Sequence, residues 1–234
     1  MIDNEASGTP ARVLVVDDHP LIRKALAQLF ADQTDFILAG EASTCEEGHA
    51  LALQLQPDLL LLDLKYGKSA AGGIDALRAL RKAGIDAFII VLTVSDDPND
   101  LAAAIRAGAD GYLLKDADPG ELLKSFRDVL EGQTVISPTL AGALASMMRR
   151  ESGNRERHID LLTAREKDIL SLLTQGASNK LIARALTITE GTVKVHIKSL
   201  LRKLGFSSRL EAAVWAIEKG IKADPAHAAL LFPR

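Results

Sequence analysis

Five short apolar runs alternate with amphipathic segments through the first half of this 234-residue chain, and that alternation constrains its fold more than any other feature. The runs are Val13–Val16, Phe36–Ala39, Leu59–Leu62, Phe88–Leu92 and Tyr112–Leu114. Each is rich in Val, Ile, Leu or aromatics and short enough for a strand buried on both faces. The segments between them carry helix punctuation. Ser43-x-x-Glu46 reads as a capping box. Asp97-Pro98 and Asp118-Pro119 each offer an N-cap followed by proline in the first turn. Gly84, Gly108 and Gly132 sit where helix C-caps are expected. A β-α alternation repeated five times predicts a five-stranded parallel sheet, doubly wound with helices on both faces.

After Gly132 the strand signals stop. Met147–His158, MMRRESGNRERH, is polar, charged and interrupted by glycine, and reads as an interdomain linker. Beyond it every periodic segment is helical. Thr163-x-x-Glu166 and Ser208-x-x-Glu211 are capping boxes, and Gly176, Gly205 and Gly220 follow helical patterns. The expected organisation is therefore an α/β domain over residues 11–132, a linker region over 133–158, a small all-α domain over 159–222 and a tail over 223–234.

The two halves also differ in charge. Residues 1–140 hold 12 Lys/Arg against 22 Asp/Glu, a net of −10, while residues 141–234 hold 16 against 9, a net of +7. The overall charge of −3 hides this split. The basic half is the candidate for a polyanionic partner. No apolar run approaches the length of a membrane span, so no membrane partner is expected. The polar, acidic stretch Met1–Pro10 does not read as a secretory signal. The single cysteine, Cys45, cannot form an internal disulfide. These features together predict a cytoplasmic protein.

Ligands of open α/β sheets bind outside the carboxyl ends of the strands. Asp17 and Asp18 follow the first apolar run and Asp63 follows the third. Thr93 ends the fourth run, and Lys115 follows the fifth. An acid after a strand is also an ordinary helix cap, but these five positions together hold a coherent chemistry. Three carboxylates at one sheet edge repel each other, and a hard cation such as Mg²⁺ relieves that repulsion. A carboxylate beside such a metal can accept a phosphoryl group, with a lysine and a hydroxyl binding the other phosphoryl oxygens.

The stretches VLVVDDHP, LLLLDL, VLTVS and GADGYLLKD resemble the receiver domains of two-component signalling, over essentially residues 11–132. The resemblance implies a flavodoxin-like fold in which Asp63 takes phosphate from a sensor histidine kinase. It implies that Asp17 or Asp18, Asp63 and the backbone carbonyl of Lys65 hold Mg²⁺. Thr93 and Lys115 would bind the phosphoryl group, and the rotamer of Tyr112 would couple the site to the signalling face. From the residues alone, Tyr112 is equally a half-buried strand aromatic. One departure stands out. The loop Lys65–Gly73, KYGKSAAGG, is longer than in most receivers and lacks their Met-Pro. Lys115 is followed by Asp116 where the family commonly has proline.

In the basic half, a helix over Ser178–Ala185, the connection Leu186-Thr187-Ile188 and a helix from Glu190, N-capped by Thr189, fit a helix-turn-helix. Val193, Ile197, Leu200, Leu201 and Leu204 share one face of the second helix. Lys194, Lys198 and Arg202 recur on another, with Val195 and His196 beside them. Such a stripe is often only a solvated face, but here it lies where a recognition helix meets base edges. Asn179, Lys180 and Arg184 suit phosphate contacts. The stretches LTAREKDIL, SNKLIA, TVKVHI and KLG resemble the DNA-binding domains of the LuxR/NarL/FixJ type. That resemblance assigns Lys194, Val195 and Lys198 to base edges. It also reads the last helix, Arg209–Lys219, as one that dimerises as well as completing the core.

Together the halves predict a response regulator. Phosphorylation of Asp63 would release an acidic receiver from a basic module, and a homodimer would then bind double-stranded promoter DNA. Two other readings stay open. An aspartyl-phosphate hydrolase also uses an Asp nucleophile, but places a second acid where this chain has Lys65. A degenerate receiver would leave a phosphorylation-independent DNA-binding regulator.

Overall fold

The computed structural model describes residues 9–65, 71–133, 135–136 and 159–222. The stretch Met147–His158, the tail from residue 223 and positions 66–70 of the loop after Asp63 lie outside these residues. Elements follow the chain as β1 (Ala11–Val16), α1 (Pro20–Ala31), β2 (Phe36–Ala42), α2 (Cys45–Leu55), β3 (Leu59–Leu62), α3 (Ala71–Lys82), β4 (Phe88–Thr93), α4 (Pro98–Ala107), β5 (Gly111–Leu114), α5 (Pro119–Leu130) and β6 (Val135–Ile136). After a 3₁₀ turn at Ile159–Leu161 come α6 (Ala164–Leu173), α7 (Asn179–Leu186), α8 (Glu190–Leu204) and α9 (Arg209–Glu218).

The strands form one sheet in the order β2-β1-β3-β4-β5-β6, with β1 parallel to β2 and β3, and β5 parallel to β4 and β6. Among the described residues the sheet thus has six strands where the apolar runs predict five. Val135 and Ile136 pair with Gly111 and Tyr112, and a two-residue strand is too short to leave a periodic pattern. Val13–Val16 and Leu59–Leu62 are essentially inaccessible to solvent, as central strands covered on both faces must be.

Packing divides the chain into two compact units, one ending at Phe88 and the other starting at Ile89. In the first, Thr44 rather than Ser43 caps α2, accepting from the Glu47 N–H at 3.2 Å while Glu47 reaches back to the Ser43 N–H. The cap is thus shifted by one residue from the expected Ser43, and Glu47 answers the N–H before the cap instead of the cap's own. In the second, Asp97 and Asp118 cap α4 and α5 with proline in the first turn. Gly108 ends α4 with a φ of 107°, a conformation that side chains disfavour.

Ile169, Leu172, Ile182, Val193, Leu200, Ala212 and Ala216 form the centre of the helical core, with Phe206 against Trp215 at 5.4 Å between ring centroids. Glu166 locks this core. Its carboxylate completes the Thr163 capping box and accepts from Lys203 Nζ at 2.7 Å, tying α6 to α8. Burial opposes its ionisation. The hydrogen bonds from Lys203, Thr163 and Ser199 outweigh burial and lower its pKa from 4.5 to about 2.

A depressed carboxylate pKa gives stability that is complete above the unfolded value and is lost as pH falls through the folded one. Unfolding of the helical module, followed by Trp215 fluorescence, is therefore expected to become easier from about pH 4.5 down to about 2. Glu166→Gln is expected to cost about 2 kcal/mol at neutral pH and to flatten that slope. An unaltered slope in the variant would remove Glu166 from this role.

Candidate functional site

The chain leaves β1 to build β2 on one side and returns to build β3 on the other, which opens a crevice at the carboxyl ends of β1 and β3. Two backbone bonds hold the residues that follow these strands. The Asp17 N–H donates to Ala42 O at 3.1 Å, and the Asp63 N–H donates to Val16 O at 2.9 Å. Both aspartates are only 2% exposed. One ligand atom from each of Asp17, Asp18, His19 and Asp63 lies within 4.8 Å of the others.

These oxygens differ in their partners. Asp17 Oδ1 accepts from the His19 N–H at 2.9 Å, and Asp63 Oδ1 accepts from the Lys65 N–H at 3.2 Å. Asp18 Oδ1 is buried and has no hydrogen-bond partner among the described residues. His19 Nδ1 stands 2.7 Å from it, as an ion-pair neighbour without hydrogen-bond geometry. A buried carboxylate oxygen left so beside two other acids fits a cation-binding set, and hard oxygen donors suit Mg²⁺ better than they suit softer metals. His19 was not expected here. Its place directly after Asp17-Asp18 was the available signal, and its exposed ring puts it at the rim.

Gly73, in the first turn of α3, backs this site. A Cβ there would come within 2.6 Å of Leu64 O and 2.7 Å of Asp63 O, so only glycine lets α3 approach the backbone of Asp63 so closely. Asp63 is thus held by the Val16 and Lys65 contacts, and the first turn of α3 is held against it by this packing.

In the second unit Thr93, the last residue of β4, and Tyr112 of β5 are both inaccessible to solvent. Tyr112 is thus wholly buried rather than half-buried, and its hydroxyl donates to Ser95 O at 2.9 Å. Lys115 follows β5, with its N–H bonded to Thr93 O at 2.9 Å.

Residues α7, 187–189 and α8 form the helix-turn-helix, with Thr189 as N-cap of α8. Lys194, Val195 and Lys198 all face solvent, and Val195 is 67% exposed although it is apolar. Lys180 and Arg184 are exposed as well.

Asn179 is not. Its Oδ1 accepts from Arg209 at 2.9 Å, and its backbone N–H donates at 2.9 Å to the carbonyl of Glu131, the C-cap of α5. The positive start of α7 thus abuts the negative end of α5. Gly132 makes room for the contact, since a Cβ there would lie 2.7 Å from Asn179 Nδ2. Arg209 also donates to Ala177 O at 2.8 Å, but its Nε has no hydrogen-bond partner among the described residues. Burial lowers its pKa to about 10, opposed by the charge of Asp110.

An acidic crevice at a sheet switch point, together with a helix-turn-helix, defines a signalling receiver coupled to a DNA-binding module. Comparison with known proteins agrees. Response regulator receiver domains match residues 13–127, and the LuxR family of bacterial regulatory proteins matches residues 160–216. The nitrate/nitrite response regulator NarL of Escherichia coli K12 is 44% identical over 212 residues, covering 91% of this chain and 97% of that protein. NarP of the same organism is 44% identical over 211 residues, covering 90% and 96%. The crystal structure of a LuxR-family two-component response regulator from Aurantimonas sp. SI85-9A1 aligns with a TM-score of 0.55 at 31% identity, over 59% of this chain and 97% of that one. The chain belongs to the NarL-type, LuxR-family two-component response regulators, which control transcription through phosphorylation. Among the described residues no helix is long and apolar enough to cross a membrane.

Gly132→Ala is expected to disturb the Glu131–Asn179 contact, because φ is 80° at this position and because the added Cβ would meet the side chains of Arg209 and Asn179. The measurement is amide hydrogen exchange at Asn179, which should speed up about tenfold or more, roughly 1.4 kcal/mol of lost protection. Equal protection in the variant would show that the contact absorbs a methyl group.

Proposed function

We propose that Asp63 is the phosphoacceptor, that its donor is a sensor histidine kinase, and that its phosphorylation frees the C-terminal helices to bind double-stranded promoter DNA as a homodimer in the cytoplasm. The observation that carries this is the convergence of Asp17, Asp18 and Asp63, with one buried oxygen of Asp18 left without a hydrogen bond. These carboxylates and the Lys65 carbonyl would hold Mg²⁺, which when bound neutralises the charge of the phosphoryl oxygens. An oxygen of Asp63 attacks phosphorus, and the phosphorus–nitrogen bond to the kinase histidine breaks. The electron pair stays on the imidazole, which takes a proton from solvent, and Asp63 becomes an acyl phosphate. The Thr93 hydroxyl and the Lys115 ammonium bind the transferred group, and Tyr112 responds to the movement of Thr93.

On the DNA side, Lys194 and Lys198 meet guanine acceptor edges and Val195 meets a thymine methyl. Lys180 and Arg184 neutralise phosphates, which adds affinity without sequence preference. The start of α7 is a natural phosphate site, and the end of α5 stands on it before release. Ile217 of α9, 58% exposed, supports the dimer contact. The chain works as a regulator rather than a turnover enzyme, since Lys65 stands where a hydrolase would carry its second acid.

Intact-mass measurement after incubation with Mg²⁺ and a small phosphodonor is expected to show one phosphoryl adduct on the parent and none on Asp63→Asn. No adduct on folded parent protein would leave a phosphorylation-independent DNA-binding regulator. In the same assay Gly73→Ala should slow phosphorylation about tenfold or more, because displacing an acceptor by a fraction of an ångström is costly. A rate within about twofold of the parent would discard that positioning role.

A further inference from the structure

Two of the three carboxylates in the crevice hang from one peptide unit, the bond between Asp17 and Asp18. The sheet orders the chain up to this point, since the Val16 carbonyl accepts from the Asp63 N–H and the Asp17 N–H donates to Ala42 O. The carbonyl of Asp17 itself lies one residue past β1. Arg23 of α1 takes it, donating from Nη1 to Asp17 O at 2.7 Å. Helix geometry explains the reach. Side chains lean toward the start of their helix, so a long one in the fourth position arches back over the residues that precede the helix. Arg23 is the fourth residue of α1, which begins at Pro20 directly after Asp17-Asp18-His19. Its side chain is 19% exposed, whereas Lys24 beside it faces solvent. A charged donor makes the stronger kind of hydrogen bond, and a planar guanidinium fixes its direction. Glu41 of β2 stands beside the same group, with Oε2 3.8 Å from Nε. Glu47 of α2, whose carboxyl is held low chiefly by the N–H and hydroxyl of Ser43, also feels its charge. These two acids offset the guanidinium, which weakens its repulsion of a cation in the crevice and leaves its hold on the backbone intact.

We propose that Arg23 is a positioning residue for the cation: by holding the Asp17 carbonyl it sets the plane of the Asp17–Asp18 peptide, and with it where both carboxylates stand. This rests on the reading that Asp17, Asp18 and Asp63 hold Mg²⁺ while Asp63 is phosphorylated. Carboxylates that repel each other stay converged only while their backbone is fixed. Released from Arg23, the peptide turns and the two side chains relax away from Asp63. An entering cation must then draw them back, and that cost appears in its affinity. Groups that orient metal ligands from outside commonly act in this way. Asp63, the acceptor, is held instead by its contacts with Val16 and Lys65. Arg23 therefore governs how readily the cation is taken up, and leaves the transfer of the phosphoryl group to a filled site unchanged.

The test separates cation uptake from phosphoryl transfer. Full-length parent, Arg23→Met and Arg23→Lys are titrated with MgCl₂, and Kd is read from the amide NMR signals of Asp17, Asp63 and Lys65. The rate of phosphorylation by acetyl phosphate is then followed by intact mass across a range of Mg²⁺ concentrations. Arg23→Met keeps the apolar stem and removes the donor and its charge. It should raise the Kd for Mg²⁺ about tenfold or more, and the Mg²⁺ concentration for half-maximal rate by the same factor. Its maximal rate at saturating Mg²⁺ should stay within about twofold of the parent. Arg23→Lys should bring back most of the affinity, because it keeps a charged donor without the fork. An unchanged Kd in Arg23→Met, even with lower thermal stability, would reduce Arg23 to a helix tether and overturn the proposal. A lower Kd would overturn it too, since Arg23 would then act as a repelling charge. A folded parent whose signals ignore Mg²⁺ would strike the metal reading itself and this proposal with it. Mg²⁺ binding without an adduct on Asp63 would strike only the phosphoacceptor reading, and the Kd values would still decide for or against Arg23. If Arg23→Met does not fold, Arg23→Gln, shorter and uncharged, is read on the same scale.

Discussion

The mutual repulsion of three carboxylates in one crevice is the constraint on which the rest of this molecule turns. The ligand oxygens of Asp17, Asp18 and Asp63 stand within 4.8 Å of one another, an arrangement that a sheet edge tolerates only when its backbone is firmly held. That firmness is visible around it. The ladder between β1, β2 and β3 extends one residue past the strands to seize Asp17 and Asp63, and Gly73 presses the start of α3 onto the carbonyl of Asp63. A charge added at such a point meets groups that cannot relax in place, so it must be accommodated by something further away that can move.

The second unit is tied together by polar contacts that single residues share. Ser95 joins three elements, and Arg209 joins α9 to the α6–α7 turn through Ala177 and to the start of α7 through Asn179. Contacts of this kind suit a two-state element better than a dry apolar interface does, because each bond is either made or broken. Arg209 also carries an unmatched Nε in a buried place, which makes the arrangement around it less stable than a fully paired one. The helical core beneath it is, by contrast, apolar and tied by Glu166 and Lys203.

Much of this was legible in the sequence. The central strands are runs of four or more buried aliphatic residues, the easiest signal of all, and the placement of Asp17, Asp18, Asp63, Thr93 and Lys115 at or beside strand ends follows directly from them. What escaped had weak local signals. Two residues of β6 have no periodicity to show. The α2 cap slid from Ser43 to Thr44 because both can cap, with Glu46 and Glu47 equally placed to answer. Asn179 reads as a DNA contact since it begins a helix-turn-helix, and only tertiary structure reveals that Glu131 and Arg209 claim it. Ser95 was passed over for a related reason. Its three hydrogen bonds reach Thr93, Tyr112 and Asp100, and a lone serine after a strand announces none of them.

The contact between the end of α5 and the start of α7 is made by main-chain atoms on both sides, the Glu131 carbonyl and the Asn179 N–H. Substitution of either side chain, short of proline at 179, leaves donor and acceptor in place. Sequence drift can therefore roam over those two positions without abolishing the bond, and the space around it becomes a variable that sets the docking. Gly132 is where that space is set, which concentrates the evolvability of the resting state at one position that has no side chain.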